Sequence, residues 1–144
     1  MFIAIDFDGT IADHTFPDVG EAVPDAFKWI KEFKAAGAIL ILWTIRSDGG
    51  KHGDTLSRAI AFCEENGVVF DRINENPQRW STSNKAYAHV YIDDTAFGCP
   101  LIDNPREGGK PLVDWNVVGP AVLEQLKERI RVSEEWKKNQ GSWF

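Results

Sequence analysis

The sequence predicts an α/β protein in which a parallel sheet carries helices on both faces, giving a three-layer, Rossmann-like fold. Short, almost wholly apolar runs alternate along the chain with longer amphipathic segments, the pattern of strands connected by crossover helices. Strands that lack polar alternation are typical of parallel sheets covered on both faces. The 144 residues contain no internal repeat and no low-complexity linker, so one domain with a substantial core is expected.

The first strand and the first helix are predicted from the spacing of apolar residues. Residues 2–6 are apolar up to Asp6, and residues 9–22 are irregular because they mix proline, glycine and polar residues. Pro24 fits the first turn of the helix that follows, and Gly37 suits its end. The buried side of this helix recurs at helical spacing and consists of Ala26, Phe27, Ile30, Phe33 and Ala36.

A second strand and a second helix follow. Residues 39–43 form an apolar strand, and a glycine-rich polar loop occupies residues 47–53. Asp54 can cap the next helix, which ends at Asn66-Gly67, and a third strand begins at residue 68. The apolar face of the second helix consists of Leu56, Ala59, Ile60 and Cys63.

The second half of the chain is more irregular. Residues 74–82 are a predicted loop and residues 83–88 a short helical turn, followed by a fourth strand over residues 89–92 and a short fifth strand over residues 101–102. Pro120 opens the last predicted helix. The residues expected to point inward from this helix are Val122, Leu126 and Ile130.

Composition narrows the classes of function. The net charge of −6 argues against nonspecific attraction to nucleic acid or to an anionic membrane. No apolar run approaches the length that spans a bilayer, and the apolar N-terminal stretch lacks a preceding basic segment and is too short for a signal peptide, so a cytoplasmic location is expected. Cys63 and Cys99 lack metal-ligand spacing, and Cys63 is expected to be a buried free thiol.

The sequence Asp6-Phe7-Asp8-Gly9-Thr10 directly follows the first predicted strand. Side chains alternate along a strand, so Asp6 and Asp8 project to the same side if the extended conformation persists. Neighbouring carboxylates repel each other unless a cation or a proton lies between them, and Gly9 permits a sharp turn and the close approach of an anionic ligand. A divalent metal held beside a nucleophile in this way is suited to phosphoryl transfer.

Two further polar clusters follow predicted strands. Thr44 and Arg46 come after the second strand, and Asp93-Asp94 come after the fourth. Because the carboxyl ends of parallel strands lie at one edge of an open sheet, these residues are expected to converge with Asp6. Two adjacent acids there favour a bound cation, and the guanidinium of Arg46 could meet a substrate oxygen.

Taken together, these clusters resemble the motifs of the haloacid dehalogenase-like superfamily, most of whose members are phosphatases. The apolar strand followed by D-x-D-G-T resembles the first motif, Thr44 the second, and Asp93-Asp94 the acidic fourth. The third motif is a basic residue that precedes the fourth motif, and Lys85, eight residues before Asp93, is assigned to it. The competing basic residues are Arg46, Lys51, Arg72 and Arg79. The resemblance implies a single catalytic domain over residues 1–132, followed by a tail over residues 133–144 that could face a partner.

The resemblance also implies a mechanism. Asp6 would be the nucleophile that forms an aspartyl-phosphate, and Asp8 would act as general acid and base. Magnesium would be held by Asp6, by Asp8 through its backbone carbonyl, and by Asp93, with Asp94 as a further ligand or as the group that orients a metal-bound water. Thr44 and Lys85, with backbone N–H groups near Gly9, would bind the phosphoryl oxygens. Arg46 could contact a substrate oxygen, and Thr10 would support the site by fixing the turn through hydrogen bonding.

The resemblance implies a site without a large cap, because residues 9–22 and 74–82 are too short for the cap domains found in many relatives. Such a site could accept a small phosphorylated molecule or a macromolecular phosphorylated end, and a second subunit could close it. His14 and His52 lie in neighbouring loops. Either could contact substrate, although a solvated loop histidine is the commoner case. The alternatives are a phosphotransferase that uses the same aspartyl-phosphate and a noncatalytic phosphate- or partner-binding protein.

Overall fold

The computed structural model describes residues 1–141, which contain six strands and three helices. In chain order these are β1 (Phe2–Ile5), α1 (Ala26–Ala35), β2 (Ile39–Leu42), α2 (Thr55–Glu65), β3 (Arg72–Ile73), β4 (Val90–Ile92), β5 (Leu101–Ile102), β6 (Leu112–Val113) and α3 (Trp115–Gly141). Strands β1 to β4 form one parallel sheet in the order β3-β2-β1-β4. The predicted α/β class, with a parallel sheet of Rossmann-like type, is therefore confirmed.

The first strand is the centre of the sheet. It pairs in parallel with β2, where Ile3 lies opposite Leu40, and with β4, where Ile3 lies opposite Val90. Alternate residues of β1 point to opposite faces. Ile3 and Ile5 belong to the large core, which also receives the buried faces of all three helices, whereas Ala4 belongs to a second, much smaller apolar cluster.

The prediction of helices on both faces is wrong. The smaller cluster consists of Ala4, Ile41 and Ala86, bordered by Phe2, Trp43 and Ala88, and none of the helical residues within 1–141 contributes to it. Right-handed crossovers explain the asymmetry. The two connections β1–α1–β2 and β2–α2–β3 run in one direction across the sheet and so put both helices on one face. The connection from β3 to β4 runs the opposite way, and it contains no helix in the described chain.

Several predicted boundaries also change. The third strand begins at Arg72 and not at residue 68, and the predicted helical turn at residues 83–88 does not form. The backbone N–H of Lys85 is bonded to the Ser83 hydroxyl, and that of Tyr87 to the Asn76 side chain. Asp54 precedes α2 without a side-chain cap. The carboxylate of Asp48 accepts a 2.9 Å hydrogen bond from the N–H of Ser57 instead.

The C-terminal part of the chain differs most from expectation. The predicted fifth strand forms, but it pairs antiparallel with β6 and not with the main sheet. The last helix begins at Trp115, five residues before Pro120, and continues to Gly141. Most of the predicted tail is therefore helical, with Trp136 63% exposed, while Trp143 lies outside the described residues.

Two other features bear on the sequence predictions. Cys63 is buried, Cys99 is partly buried, and both thiols are free, as expected for Cys63. None of the helices in residues 1–141 combines the length and the apolar character that a membrane-spanning helix needs.

The inward face of α3 offers a test of its packing. Leu126 is completely buried, whereas Ile130, one turn later and also predicted to point inward, is 39% exposed. Leu126→Ala should lower the free energy of unfolding by about 2–5 kcal/mol, because it leaves a cavity in the core. Ile130→Ala is the matched control and should cost about 1 kcal/mol or less. Urea unfolding measures both values, and equal losses would contradict this packing.

Candidate functional site

Three acidic side chains meet at the carboxyl edge of the sheet. Asp6 follows β1 and its N–H donates a 2.9 Å hydrogen bond to the carbonyl of Ile92, the last residue of β4. Asp93 and Asp94 follow directly, so the parallel pairing of β1 with β4 brings them beside Asp6. One carboxylate oxygen from each of the three lies within 4.8 Å of the others. The predicted convergence of these acids is present.

The acidic cluster alters proton binding. Burial and the neighbouring negative charge of Asp93 raise the pKa of Asp6 from its ordinary value to about 8. Burial likewise raises the pKa of Asp94. Without a cation, the cluster therefore retains a proton near neutral pH, since the charged carboxylates are poorly solvated and repel one another. The oxygen-only donor set is of the kind that hard divalent cations prefer.

Thr10 connects the acids to the protein core. Its hydroxyl lies 3.1 Å from Oδ2 of Asp6, to which it donates, and accepts a 3.2 Å hydrogen bond from the N–H of Asp94. The buried indole of Trp115 donates a 2.7 Å hydrogen bond to the carbonyl of Thr10. Thr10 thus fixes the turn and orients Asp6, the supporting role considered for it.

Gly9 is required by packing within the protein. Its φ is +82°, and a Cβ at this position would lie 2.3 Å from the imidazole of His14 and 2.5 Å from Oδ2 of Asp94. The N–H of Gly9 donates to the carbonyl of Ala12 at 2.7 Å. The tight turn therefore uses the N–H of Gly9 itself, and phosphate binding by the backbone N–H groups near Gly9 stays a prediction.

His14 lies in the site. Its Nε2 is 3.3 Å from Oδ2 of Asp94 and 3.2 Å from the carbonyl oxygen of Pro111. The prediction of a solvated loop histidine is wrong, since only 19% of the side chain is exposed. The sole signal in the sequence was its place in the loop after Asp8, and its partners lie about 80 to 100 residues further along the chain.

Arg46 has a different role from the one predicted. Its guanidinium donates to both carboxylate oxygens of Asp8, at 2.8 and 2.7 Å. The remaining donors bond the carbonyls of Pro17, Asp18 and Thr55, at 3.1, 2.7 and 3.3 Å. All five N–H groups of the guanidinium are thus engaged, and Arg46 is only 1% exposed. The assignment of Arg46 to substrate binding is wrong, because the fold uses its whole hydrogen-bonding capacity.

Asp8 is consequently held by Arg46 and lies outside the group of three acids that could share a cation. It still borders an open cleft of about 1140 Å³ at the carboxyl edge of the sheet. The residues of interest along this cleft are Asp6, Asp8, His14, Thr44, Asp93, Asp94 and Lys110. The first acidic motif, Thr44 and the second acidic pair are therefore assembled around one space.

Thr44 and Lys85 were predicted to bind phosphate, but of these two residues only Thr44 borders the cleft. The backbone N–H of Thr44 donates to Asn74 at 2.8 Å, and its hydroxyl oxygen accepts from the N–H of Arg46 at 3.1 Å. The proton of this hydroxyl can still be donated in the cleft. Lys85 does not line the cleft. Its ammonium lies over the ring of Tyr91, 5.5 Å from the ring centre.

The β5–β6 hairpin borders the cleft and is tied to the loop that follows Asp8. Arg106 donates to Oδ2 of Asp13 at 2.7 Å, and Asn104 donates to Oδ1 of Asp13 at 2.7 Å. These bonds, that from Arg106 above all, lower the pKa of Asp13 to about 2. The N–H of Val113 also donates to the carbonyl of Gly9 at 3.0 Å. Sequence reasoning missed this clamp because its partners belong to two irregular segments.

A comparison with solved structures gives a relative of similar size. A conserved protein from Bacteroides thetaiotaomicron is 32% identical, with 87% of this chain and 91% of that chain covered, at a TM-score of 0.63. The chain belongs to the same family as the Bacteroides protein. A scan with models of known protein families finds no match, and neither does a search of curated proteins.

Cation binding to the acids should depend on pH. Because the metal-free cluster holds a proton up to about pH 8, a divalent cation such as Mg²⁺ would have to displace that proton on binding. Its affinity should then rise about tenfold per pH unit below that value and level off above it. Calorimetry in buffers of different ionisation enthalpy should show proton release on binding at pH 7. An affinity that stays constant from pH 6 to pH 9 would contradict this account.

The same pKa has a consequence for stability. Because the folded state holds the Asp6 proton more tightly than the unfolded chain, the metal-free protein should lose stability as pH rises from about 4 to about 8. Asp6→Asn should remove that loss and raise the free energy of unfolding at pH 8 in EDTA by at least about 1.4 kcal/mol, the value of one pKa unit. Thermal unfolding of both proteins at pH 5 and pH 8 measures the difference. If Asp6→Asn is less stable than wild type at pH 8, the charged Asp6 carboxylate is not destabilised by burial and by the neighbouring acids, and this account is wrong.

Replacing Arg46 tests its structural role. Arg46→Lys keeps the charge but supplies three donors in place of five. It should destabilise the protein by about 2–3 kcal/mol, since buried carbonyl or carboxylate oxygens lose their partners. Arg58→Lys is the matched control, because the pair of Arg58 with Asp18 is exposed and 3.8 Å long, and it should change stability by less than about 0.5 kcal/mol. Urea unfolding compares the two, and similar values would show that the Arg46 hydrogen bonds contribute little.

Proposed function

We propose that the chain is a member of the haloacid dehalogenase-like superfamily without a large cap, and that it is a magnesium-dependent phosphatase acting on phosphomonoesters through an aspartyl-phosphate. The observation that carries this proposal is the meeting of Asp6, Asp93 and Asp94 within 4.8 Å, beside Thr44 in one open cleft. These residues come from the ends of three different elements, and turn or capping roles would not require them to converge.

The donor set fits magnesium. Asp6, Asp93 and Asp94 offer only oxygen atoms. Burial, together with the negative charge of Asp93, raises the pKa of Asp6, and a bound divalent cation would offset both effects. Once bound, Mg²⁺ would neutralise charge on the phosphoryl group and on the acids around it. Thr95 supports this arrangement, because its N–H and hydroxyl donate to Oδ1 of Asp93 at 2.9 and 2.8 Å and hold that carboxylate in place.

Asp6 is the proposed nucleophile. Thr10 orients its carboxylate by a hydrogen bond to Oδ2, so Oδ1 is the oxygen proposed to attack phosphorus. The bond from this oxygen to phosphorus forms as the bond to the departing alkoxide breaks, and water later hydrolyses the aspartyl-phosphate. The hydroxyl of Thr44 is suited to donate a hydrogen bond to a phosphoryl oxygen.

Asp8 is the proposed general acid and base, and its pairing with Arg46 constrains this role. Both of its oxygens accept hydrogen bonds from the guanidinium. A proton that Asp8 delivers to the leaving alkoxide must come from one of these two oxygens, each of which already accepts a hydrogen bond from Arg46. The role therefore requires that one hydrogen bond to Arg46 weakens or breaks during the reaction.

The shape of the cleft supports a broad class of phosphorylated substrates. Its volume is about 1140 Å³, and apolar Trp43 and Ile45 line it together with polar Asn74, Asn76 and Asn84. Space of this size accommodates a phosphorylated metabolite of moderate size, or the phosphorylated end of a larger molecule. A cytoplasmic location and closure of the cleft by a second subunit are part of the same proposal.

Hydrolysis of an aryl phosphate tests the proposed function. The wild-type protein should release phosphate with Mg²⁺ and lose this activity in EDTA. Asp6→Asn should lower kcat by about a thousandfold or more, since it removes the nucleophile. Asp103→Asn changes an exposed acid of β5–β6 outside the cleft and should leave the rate unchanged. Wild-type protein that hydrolyses no aryl phosphate and no member of a panel of phosphorylated metabolites and polymer ends would overturn the proposal.

Product analysis distinguishes the alternatives. With an added alcohol, a phosphatase should release inorganic phosphate in proportion to the substrate consumed. Transfer of the phosphoryl group to the alcohol as the main product would identify a phosphotransferase that uses the same Asp6. Saturable phosphate binding without turnover would favour the noncatalytic alternative.

A further inference from the structure

We propose that Lys110, in the β5–β6 hairpin, supplies the positive charge that binds the phosphate group in the cleft. This inference rests on the proposed function. Lys110 follows Asp93-Asp94 in the chain, whereas Lys85, the residue predicted for this role, precedes them. It rests on where the structure places Lys110, namely along the same cleft as Asp6, Thr44 and Asp94.

The cleft needs a cation beyond the metal. Five acidic residues line it, Asp6, Asp8, Glu75, Asp93 and Asp94. Asp8 is paired with Arg46 and Glu75 with Arg72, which leaves three acids around the proposed metal, and a phosphomonoester brings up to two further negative charges. Lys110 is the one lysine or arginine among the described residues that line this cleft. A phosphate in the cleft therefore has Lys110 as its available ammonium or guanidinium partner.

The other basic residues considered from the sequence are placed elsewhere. Arg46 is buried with all five donors engaged, and Lys85 lies over the Tyr91 ring. Arg72 does not line the cleft and is paired with Glu75 at 3.2 Å. Lys51 and Arg79 are exposed residues that also do not line it.

The backbone around Lys110 is fixed relative to the acids. Its carbonyl accepts a 2.9 Å hydrogen bond from Asn104, and the carbonyl of the next residue, Pro111, lies 3.2 Å from Nε2 of His14. Three residues after Lys110, the N–H of Val113 donates to the carbonyl of Gly9. The hairpin therefore holds Lys110 against the loop that carries Asp6 and Asp8.

The side chain of Lys110 is available to a ligand. The residue is exposed, and its ammonium forms no salt bridge within residues 1–141. A flexible lysine beside an acidic cleft can follow the phosphate as it binds and leaves, which a buried guanidinium such as that of Arg46 cannot do.

Calorimetric titration with inorganic phosphate in the presence of Mg²⁺ tests the inference. Lys110→Gln should raise the Kd for phosphate about tenfold or more, because a charge-assisted hydrogen bond is lost. Lys110→Arg should restore most of the affinity. Lys127→Gln removes the same charge from the exposed side of α3 and should leave the Kd unchanged. The affinity for Mg²⁺ alone should not fall in Lys110→Gln, since Lys110 is not a metal ligand.

The outcomes separate this inference from the proposed function. An unchanged phosphate Kd in Lys110→Gln, or a larger loss in Lys85→Gln, would overturn the role of Lys110 even if the wild-type protein is an active phosphatase. Absence of phosphate binding by the wild-type protein would overturn it as well. Phosphate binding that depends on Lys110, in a protein without any hydrolytic activity, would support this inference and refute the proposed function.

Discussion

The parallel pairing of β1 with β2 and β4 is the constraint on which the site depends. β1 is the central partner of both strands, and the register places Ile5 opposite Leu42 and Ile92. The residues that follow these three strands therefore leave the sheet side by side. Asp6, Thr44 and Asp93 become neighbours through backbone hydrogen bonding alone, before any side chain of the site interacts.

The cost of this convergence is electrostatic, and the surrounding contacts reduce it. Asp8 is neutralised by Arg46, and Asp13 by Arg106, while the acids at the ends of β1 and β4 are left for a cation or a proton. Arg46 also bonds the carbonyls of Pro17, Asp18 and Thr55. Charge balance at the site is thus coupled to the position of the loop after Asp8 and of the start of α2, and Arg46 serves stability and site geometry together.

The distribution of helices shapes the site as well. All three helices pack into the core on one face of the sheet, and the other face is covered by the irregular segment around Ala86. The connection between β3 and β4 lines the cleft through Asn76, Ser83 and Asn84 instead of forming a crossover helix. The β5–β6 hairpin contributes Lys110 to the same cleft. Two irregular segments thus border the cleft, where side chains can differ without disturbing the core.

The sequence alone determined the alternation of strands and helices, the parallel sheet, and the meeting of Asp6, Thr44 and Asp93-Asp94 at its edge. These features follow from local apolar patterns and from the geometry of parallel strands, which are readable from short stretches of chain. Only the tertiary structure decided that Arg46 binds Asp8, that His14 reaches Asp94, and that Lys110 and not Lys85 borders the cleft. Those pairings join irregular segments far apart in sequence, and their partners are chosen by how the whole chain packs. No local pattern encodes that choice, because the same arginine, histidine or lysine in a polar loop is equally compatible with exposure to solvent.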